Sequence, residues 1–225
     1  MRTEVPHTSY IEIEYRIEYK MELKKALEEI RKNSKERKFD QSIDLIVNLK
    51  KFDVKKIQIN TFITLPHKIK DKKVCGFIEA KSSLIETIPK ASFISYKNKK
   101  DIKKLIKQYD FFIASAPLMP AVATTFGRVL GPAGKMPSPK LGLIMHETEN
   151  DIKAIINKIN NVVRIQTKEP SIKIVIGKEK MKDEDIIENI KSAYSSIINE
   201  LPNKKENLKS VMIKLTMGKP VKVEM

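Results

Sequence analysis

The sequence contains a single cysteine, Cys75, and no long apolar run. One thiol excludes an intramolecular disulfide and a zinc site built from cysteines, so the cysteine usage is that of a protein from a reducing compartment. No segment approaches the roughly 20 consecutive apolar residues of a membrane-spanning helix. Acidic side chains occur along residues 1–20, where a signal peptide would have an apolar centre. These absences predict a cytoplasmic protein without a membrane partner.

Motifs that would support catalysis or metal binding are also missing. The three histidines, His7, His67 and His146, lie far apart, and none has another ligand type at metal-binding spacing beside it. The sequence has no Gly-x-Ser-x-Gly nucleophile motif and no His-Glu-x-x-His zinc motif. We therefore expect a protein that is not an enzyme and that has no catalytic residue, metal ion or cofactor.

One segment, Gly131–Met136, carries the Gly-Lys pair of a phosphate-binding loop. Such a loop requires glycine where Val129 stands, and serine or threonine where Met136 stands. The spacing therefore disfavours a nucleotide-dependent enzyme built on the middle of the chain. The longer segment Gly127–Lys140 predicts a rigid, basic loop rich in glycine and proline, which either lies close to a phosphate backbone or forms a plain surface turn.

The charge of the chain is strongly positive. It has 44 lysines and arginines against 28 aspartates and glutamates, a net charge of +16. Solubility requires far less, so the excess indicates a polyanionic partner. Nucleic acid, an acidic membrane surface and an acidic protein all fit that description, and charge alone does not choose among them.

Both ends of the chain combine strand and helix patterns. Alternation predicts a half-buried strand over Tyr10–Tyr19, and helical spacing predicts an amphipathic helix from Met21 to about Arg37. The same patterns predict further elements, with a helix that Asp183 can cap. The strands among them are Ile43–Leu49, Ile57–Leu65, Val162–Thr167, Ile172–Ile176 and a last one from Val211 to Gly218.

The middle of the chain alternates short apolar runs with helical segments, which is typical of a sheet covered by helices. Strands are predicted over Val74–Glu79, Ala91–Ser95 and Phe111–Ala114, and helices over residues 98–108 and 149–159. The lysines of the first helix are expected on its exposed face, with or without a partner. The pattern predicts a discontinuous domain, residues 1–66 plus 160–225, and an inserted domain, residues 67–159.

Two segments combine residue types that suit RNA. Arg37–Ser42 joins cations, an aromatic ring and small polar side chains, which fit 2′-hydroxyls and unstacked bases, although Phe39 could instead be a core ring. In Ser210–Pro220, alternate polar residues project away from the apolar face, and Gly218 admits a backbone conformation that other residues resist. That polar face could also be simply solvated.

Three separated motifs resemble those of one family, the universal large-subunit ribosomal protein one family. They are the loop Gly131–Pro139, the pair Asp110–Ala114 and Pro117–Pro120 typical of the archaeal branch, and the terminal Lys214–Pro220. The resemblance covers residues 21–225. Since archaeal members usually begin near Met21, residues 1–20 are expected to be an extension or an upstream start.

The resemblance implies a fold and a role. The implied fold is a split four-stranded α+β domain made from both chain ends, with an inserted Rossmann-like α/β domain. The implied role is that of a structural constituent of the large ribosomal subunit, which binds large-subunit rRNA and forms the mobile stalk beside the tRNA exit site. It includes release of deacylated tRNA and repression of translation of the protein's own mRNA. The free protein is expected to be a monomer.

The resemblance also implies RNA-binding residues, all in the discontinuous domain. The motifs that match the family carry the contact surface to Lys38, Phe39, Ser42, Ser210, Thr216, Met217 and Gly218. Four neighbours are added as further candidates, Gln41, Arg164, Lys168 and Lys214. A generic translational repressor or RNA chaperone that acts outside the ribosome would share every basic feature above, and it is the alternative to a ribosomal role.

Overall fold

The structure is a computed structural model, which describes residues 22–223 except residues 36, 55, 97, 140 and 146. The strand predicted over Tyr10–Tyr19 lies outside the described residues. Backbone contacts divide the chain into two compact units. Unit 1 contains the described residues up to Ile69 and those from Val162 onward, and unit 2 contains Lys70–Asn161.

Unit 1 is built from both ends of the described chain. Its helices are α1 (residues 22–32) and α5 (Asp183–Glu200). Its strands are β1 (Ser42–Leu49), β2 (Asn60–Thr64), β7 (Val162–Gln166), β8 (Ser171–Lys178), β9 (Leu208–Leu215) and β10 (Val221–Val223). Four of the strands form an antiparallel sheet in the order β10-β9-β1-β8, and β2 pairs with β7 in a separate two-stranded sheet.

The core of unit 1 follows the alternation of its strands. In β1, Ile43, Leu45 and Val47 are fully buried, and the residues between them are only partly buried. The buried faces of α1 and α5 belong to the same apolar cluster, so the helices cover that face of the sheet. Removing one such side chain from water contributes about 1.5–3 kcal/mol, which explains why strict alternation predicted β1 correctly.

Unit 2 has a parallel sheet covered on both faces. In chain order it contains β3 (Val74–Phe77), β4 (Glu86–Thr87), α2 (Lys99–Gln108), β5 (Phe111–Ser115), α3 (Met119–Ala133), β6 (Leu143–Ile144) and α4 (Glu149–Asn160). The strand order is β4-β3-β5-β6, and every pairing is parallel. Apolar residues of α2 and α3 pack in one cluster, and those of α4 pack in another.

These two architectures confirm the predicted fold class. One unit contains a four-stranded α+β sheet made from the two chain ends, and the other is a Rossmann-like α/β unit. Alternate residues of β3 enter different clusters, Cys75 and Phe77 on the side of α2, and Val74 on the side of α4. A strand buried on both faces reads as a continuous apolar run, as this one does.

The strand predicted over Ala91–Ser95 is wrong, because this segment is a 3-10 helix, Lys90–Tyr96. A buried strand would bury both faces, whereas Phe93 is buried and Ile94 is 69% exposed. The Phe93 ring packs edge-on against Phe77 and Phe126, with centroids 5.8 and 5.1 Å away. The packing of the Phe93 ring therefore favours the 3-10 helix in this segment. The edge strand of the sheet is the short strand β4.

A loop was predicted over Gly127–Lys140, and the first half of that prediction is wrong because helix α3 extends to Ala133. Helix α3 was not predicted from the sequence, because its second half contains glycine and proline, which disfavour a helix. Its signal was the spacing of Val122, Phe126 and Leu130, which are fully buried on one face. Gly134 ends the helix in the left-handed conformation, with φ of 69°, which glycine adopts without strain.

Several predicted boundaries also shift. The helix expected to reach Arg37 ends at residue 32, and Asp183 is the first residue of α5, preceded by Lys182 as the N-cap. Asp183 instead pairs with Arg31 at 2.6 Å, which joins the end of α1 to the start of α5. Strand β9 ends at Leu215, before Gly218, and the following strand β10 was not predicted.

Asp110 in unit 2 has a pKa below its ordinary value of 3.8. Burial is the largest single influence and raises this pKa, but the hydrogen bond and charge of Lys70, the Lys73 N–H and the charge of Lys135 together outweigh it. The ionised carboxylate therefore stabilises the fold above the unfolded-state pKa, and this contribution is lost as the pH falls through the lowered value.

We predict that Asp110→Asn costs at most about 1 kcal/mol near neutral pH, because the carboxylate is partly exposed and screened. The difference from the parent protein should shrink as the pH falls from about 6 to about 2. Urea unfolding across that range measures it. A difference that stayed constant with pH would show that the Asp110 charge does not stabilise unit 2.

Candidate nucleic-acid interface

Two distant segments meet at one end of the four-stranded sheet. The register pairs Ser42 with Lys178 and Ile43 with Leu215, so the start of β1 lies beside the ends of β8 and β9. This brings together Lys38–Ser42 and Lys214–Gly218, two segments in which site residues were predicted. We call these two segments the Ser42 end.

Hydrogen bonds join the two segments directly. Thr216 Oγ1 accepts from Ser42 N–H at 3.0 Å and lies 3.2 Å from the Ser42 carbonyl oxygen, to which it can donate. Thr216 N–H also donates to the Ser42 carbonyl at 3.0 Å. Thr216 remains exposed, and its hydroxyl keeps a second lone pair that can accept from a ligand.

Gln41 is buried, whereas a residue that contacts RNA directly must be exposed. Its side chain is 1% exposed, and its amide donates to Ser34 Oγ at 2.8 Å. Its carbonyl oxygen accepts from Met217 N–H at 3.3 Å. Gln41 thus cross-links the segment before β1 to the segment after β9, and it positions Met217 without being accessible itself.

Two large apolar side chains are exposed at this end. Phe39 is 52% exposed and Met217 is 62% exposed, so the core interpretation of Phe39 is wrong. Exposed apolar side chains beside cations suit the faces of unstacked bases. Lys38 is exposed nearby, and Lys178 Nζ donates to the Asp40 carbonyl at 3.3 Å.

A cleft of about 410 Å³ opens between the segment after α1 and the segment after β9. Its lining combines cations, amides and backbone, and it includes residues that were not predicted. The lining residues are Asn33, Ser34, Lys35, Arg37, Gln41, Met217, Gly218 and Lys219. Asn33, Ser34 and Lys35 escaped prediction because the helix was expected to continue through them.

Gly218 has a role in close packing instead of an unusual backbone angle. The φ of Gly218 is not in the left-handed region. Among the described glycines, Gly134 alone has a φ in that region. A Cβ at Gly218 would lie 3.3 Å from Leu215 Cβ, closer than side chains usually approach. Gly218 therefore does not use the backbone freedom that the sequence suggested, and the close approach of Leu215 is what favours glycine at this position.

The open face of the sheet carries Ser210 and Lys214. Lys214 stands opposite Asp44, and burial raises the pKa of Asp44 while the charge of Lys214 lowers it. Ser210 accepts from Asn48 Nδ2 at 3.0 Å. It lies about 20 Å along the strand from Thr216, so it is not at the Ser42 end.

Arg164 and Lys168 are not brought to the Ser42 end either. Arg164 lies on β7, in the two-stranded sheet, and its Nε donates to Asn60 Oδ1 at 2.9 Å. Lys168 follows β7 and lines a second cleft of about 990 Å³ with Lys51. That cleft is at the opposite end of the sheet, because Leu49 N–H donates to the Pro170 carbonyl.

Other kinds of site find little support among residues 22–223 as far as the structure describes them. There, no group of three or more histidines, cysteines or carboxylates is placed to hold a metal ion. No helix of the same residues is long and apolar enough to cross a membrane. The Ser42 end therefore offers cations, exposed apolar faces and hydrogen-bonding groups, which together can bind a structured polyanion.

Comparisons with known proteins point to one family. Residues 30–219 match the model of the Ribosomal protein L1p/L10e family. The chain is 38% identical to the large ribosomal subunit protein uL1 of Pyrococcus horikoshii over 208 residues, which cover 87% of this chain and 92% of that protein. The uL1 protein of Pyrococcus abyssi is also 38% identical, with the same coverage.

A relative of lower sequence identity matches over nearly the same length. The large ribosomal subunit protein uL1 of Nanoarchaeum equitans is 35% identical over 202 residues, covering 85% of this chain and 95% of that protein. The family match spans both units, and the relatives match over nearly their full length. The chain therefore belongs to the Ribosomal protein L1p/L10e family, in its archaeal-type branch.

Proposed function

We propose that this protein is a structural constituent of the large ribosomal subunit, which binds large-subunit rRNA through the Ser42 end. The observation that carries the proposal is the joining of Lys38–Ser42 to Lys214–Gly218 by the Thr216 and Gln41 hydrogen bonds. The relatives of this chain are named as large-subunit proteins, which supports the ribosomal part. No bond is made or broken, so the protein acts by binding and not as an enzyme.

Recognition at the Ser42 end combines two kinds of contact. Phe39 and Met217 present exposed apolar faces to bases, the Ser42 hydroxyl hydrogen-bonds 2′-hydroxyls, and the Thr216 hydroxyl accepts from them through its free lone pair. Lys38 and the cations of the cleft bind phosphates, which makes the affinity sensitive to salt. Gln41 holds Met217 in place from within. Lys214 and Ser210 extend the contact along the open sheet face, while Arg164 and Lys168 would form separate outlying contacts.

We propose the discontinuous domain, residues 1–66 plus 160–225, as the rRNA-binding part, and the inserted domain, residues 67–159, as the part that faces tRNA. The protein works in the cytoplasm within the ribosome, and it is a monomer when free. Sedimentation of the purified protein with large subunits tests the ribosomal role. Stable co-sedimentation at physiological salt is expected, whereas a generic repressor or RNA chaperone would remain in the supernatant.

The finer functions of the family extend the proposal. The protein would form the mobile stalk beside the tRNA exit site and assist release of deacylated tRNA. Ribosomes lacking it should therefore release that tRNA more slowly, and adding the protein back should restore the rate. Equal rates with and without the protein would contradict the tRNA part and leave the rRNA part untouched.

Repression of its own mRNA is a further part of the proposal. It requires that the leader of that mRNA fold into a shape like the rRNA target. The expected result is competition between leader RNA and rRNA fragment for the same surface. Failure to bind the leader under conditions where the rRNA fragment binds would remove this part.

A further inference from the structure

Helix α2 differs in charge from the other long helices. Its ten residues, Lys99–Gln108, contain five lysines and one acid, Asp101. Helices α4 and α5 instead open with acids, Glu149 and Asp151 in one and three acids in the other. An acidic first turn complements the helix dipole, and in the first turn of α2 two lysines, Lys99 and Lys100, outnumber the one acid, Asp101.

The lysines form one exposed face. Ile102 and Leu105 are buried in the apolar cluster of unit 2, while Lys100, Lys103, Lys104 and Lys107 are all exposed. Lys104 lies 3.6 Å from Asp101. Within the described part of the chain, the other three exposed lysines have no ion-pair partner.

This arrangement weakens the helix. Lys100 stands three and four residues from Lys103 and Lys104, and both of these stand within one turn of Lys107. Like charges at these spacings destabilise a helix, and cations in the first turn oppose its dipole. The N-cap residue, Asn98, forms no side-chain hydrogen bond with the first turn. Helix stability therefore does not explain the pattern.

A lysine outside α2, Lys135, offsets part of this loss of helix stability. Lys135 Nζ donates to the carbonyls of Ile106 and Tyr109, each at 2.7 Å, and so caps the C-terminal end of α2. Lys135 belongs to the motif Gly131–Pro139, and these two hydrogen bonds hold its ammonium group within the protein. Places where a sequence breaks a local rule and compensates elsewhere are typically functional.

We propose that the exposed lysine face of α2, formed by Lys100, Lys103, Lys104 and Lys107, is a second RNA contact that binds the phosphate backbone of double-helical RNA regardless of sequence. Lys100 and Lys107 are about 10 Å apart along the helix axis. At the roughly 3.4 Å of axis per phosphate of one strand in duplex DNA, that length spans about three phosphates, and the shorter rise of an A-form RNA duplex brings slightly more within reach. Lysines act as point charges, so such a face adds affinity without reading bases.

A three-lysine variant tests the contact against a matched control. Lys100, Lys103 and Lys107 are replaced by glutamine in the full chain, and the control replaces Lys81, Lys153 and Lys158, which are exposed in the same unit. The probe is an RNA duplex of arbitrary sequence, titrated over salt. The α2 variant should lower the slope of log affinity against log salt by about 2–3, and the control should change it by less than about 1. Equal losses in both variants would contradict the proposal, since only diffuse charge would then matter.

The single variant Lys100→Glu separates binding from stability. The new acid complements the helix dipole and pairs with Lys103 and Lys104, so the unfolding midpoint should rise by about 1–2 °C. Duplex RNA binding should become weaker at the same time, and Ile57→Ala should leave duplex binding unchanged because the exposed Ile57 lies outside both the Ser42 end and α2. A higher midpoint with unchanged RNA binding would show that the lysines form only a solvated face, which would overturn the proposal.

Discussion

Replacing Asn189 by alanine is expected to lower the free energy of unfolding of unit 1 by about 3 kcal/mol, since it removes the side-chain partner of one buried and two partly buried backbone groups. Asn189 lies on α5 and is fully buried. Its carbonyl oxygen accepts from His67 N–H at 3.0 Å, and its amide donates to the carbonyls of His67 and Ile176 at 3.1 and 2.9 Å. One side chain thus ties the chain that follows β2 to α5 and to β8.

Urea unfolding of the full chain, followed by circular dichroism, measures this loss, with separate transitions fitted for the two units. Ser192→Ala is the matched control, because Ser192 Oγ on the same helix donates to the Thr64 carbonyl at an exposed position. That exposed bond should contribute no more than about 1 kcal/mol. If Asn189→Ala costs no more than Ser192→Ala, the buried amide does not fasten the chain at His67.

Phe39→Ala is expected to weaken binding to the rRNA fragment by about 1–3 kcal/mol, a factor of about 5 to 150, because one stacked base is lost. Phe39 is 52% exposed, so the stability of unit 1 should change little. Filter binding or fluorescence anisotropy at fixed salt measures the affinity, and urea unfolding checks the stability.

Ile57→Ala provides the control for Phe39→Ala. Ile57 is also an exposed apolar residue of unit 1, at 40% exposure, but it lies outside the Ser42 end. Its replacement should leave rRNA binding unchanged. Phe39→Tyr should retain binding, because it preserves the flat ring. An equal effect of Phe39→Ala and Ile57→Ala would mean that no base stacks on Phe39.

Much of the fold was predictable where burial imposes a period. Strands β1 and β9 alternate because one face packs under helices, and Ile43, Leu45, Ile213 and Leu215 carry that signal. Helix α3 escaped because its buried spacing is interrupted by glycine and proline, whose local preferences oppose a helix. In the segment Ala91–Ser95, one aromatic side chain decided the conformation, and no period reveals such a choice.

The sequence could show which segments carry site residues, but it could not show which of those residues lie next to one another in the fold. Residue types marked Lys38–Ser42 and Ser210–Gly218, but only the register of β1 against β9 makes Ser42 a neighbour of Thr216 and separates it from Ser210. The inward turn of Gln41 depends on where α1 ends, and that boundary was misplaced. Lys135 could not be recognised as a helix cap, because its carbonyl partners lie more than twenty residues earlier.

We propose above that the Ser42 end binds one folded region of large-subunit rRNA specifically. The most direct measurement titrates the full protein with its own rRNA stalk fragment over a range of salt, with excess unrelated duplex RNA as competitor. We expect tight binding that survives the competitor, because hydrogen bonds and base contacts add to the phosphate contacts. Binding that weakens equally for both RNAs as salt rises would contradict it.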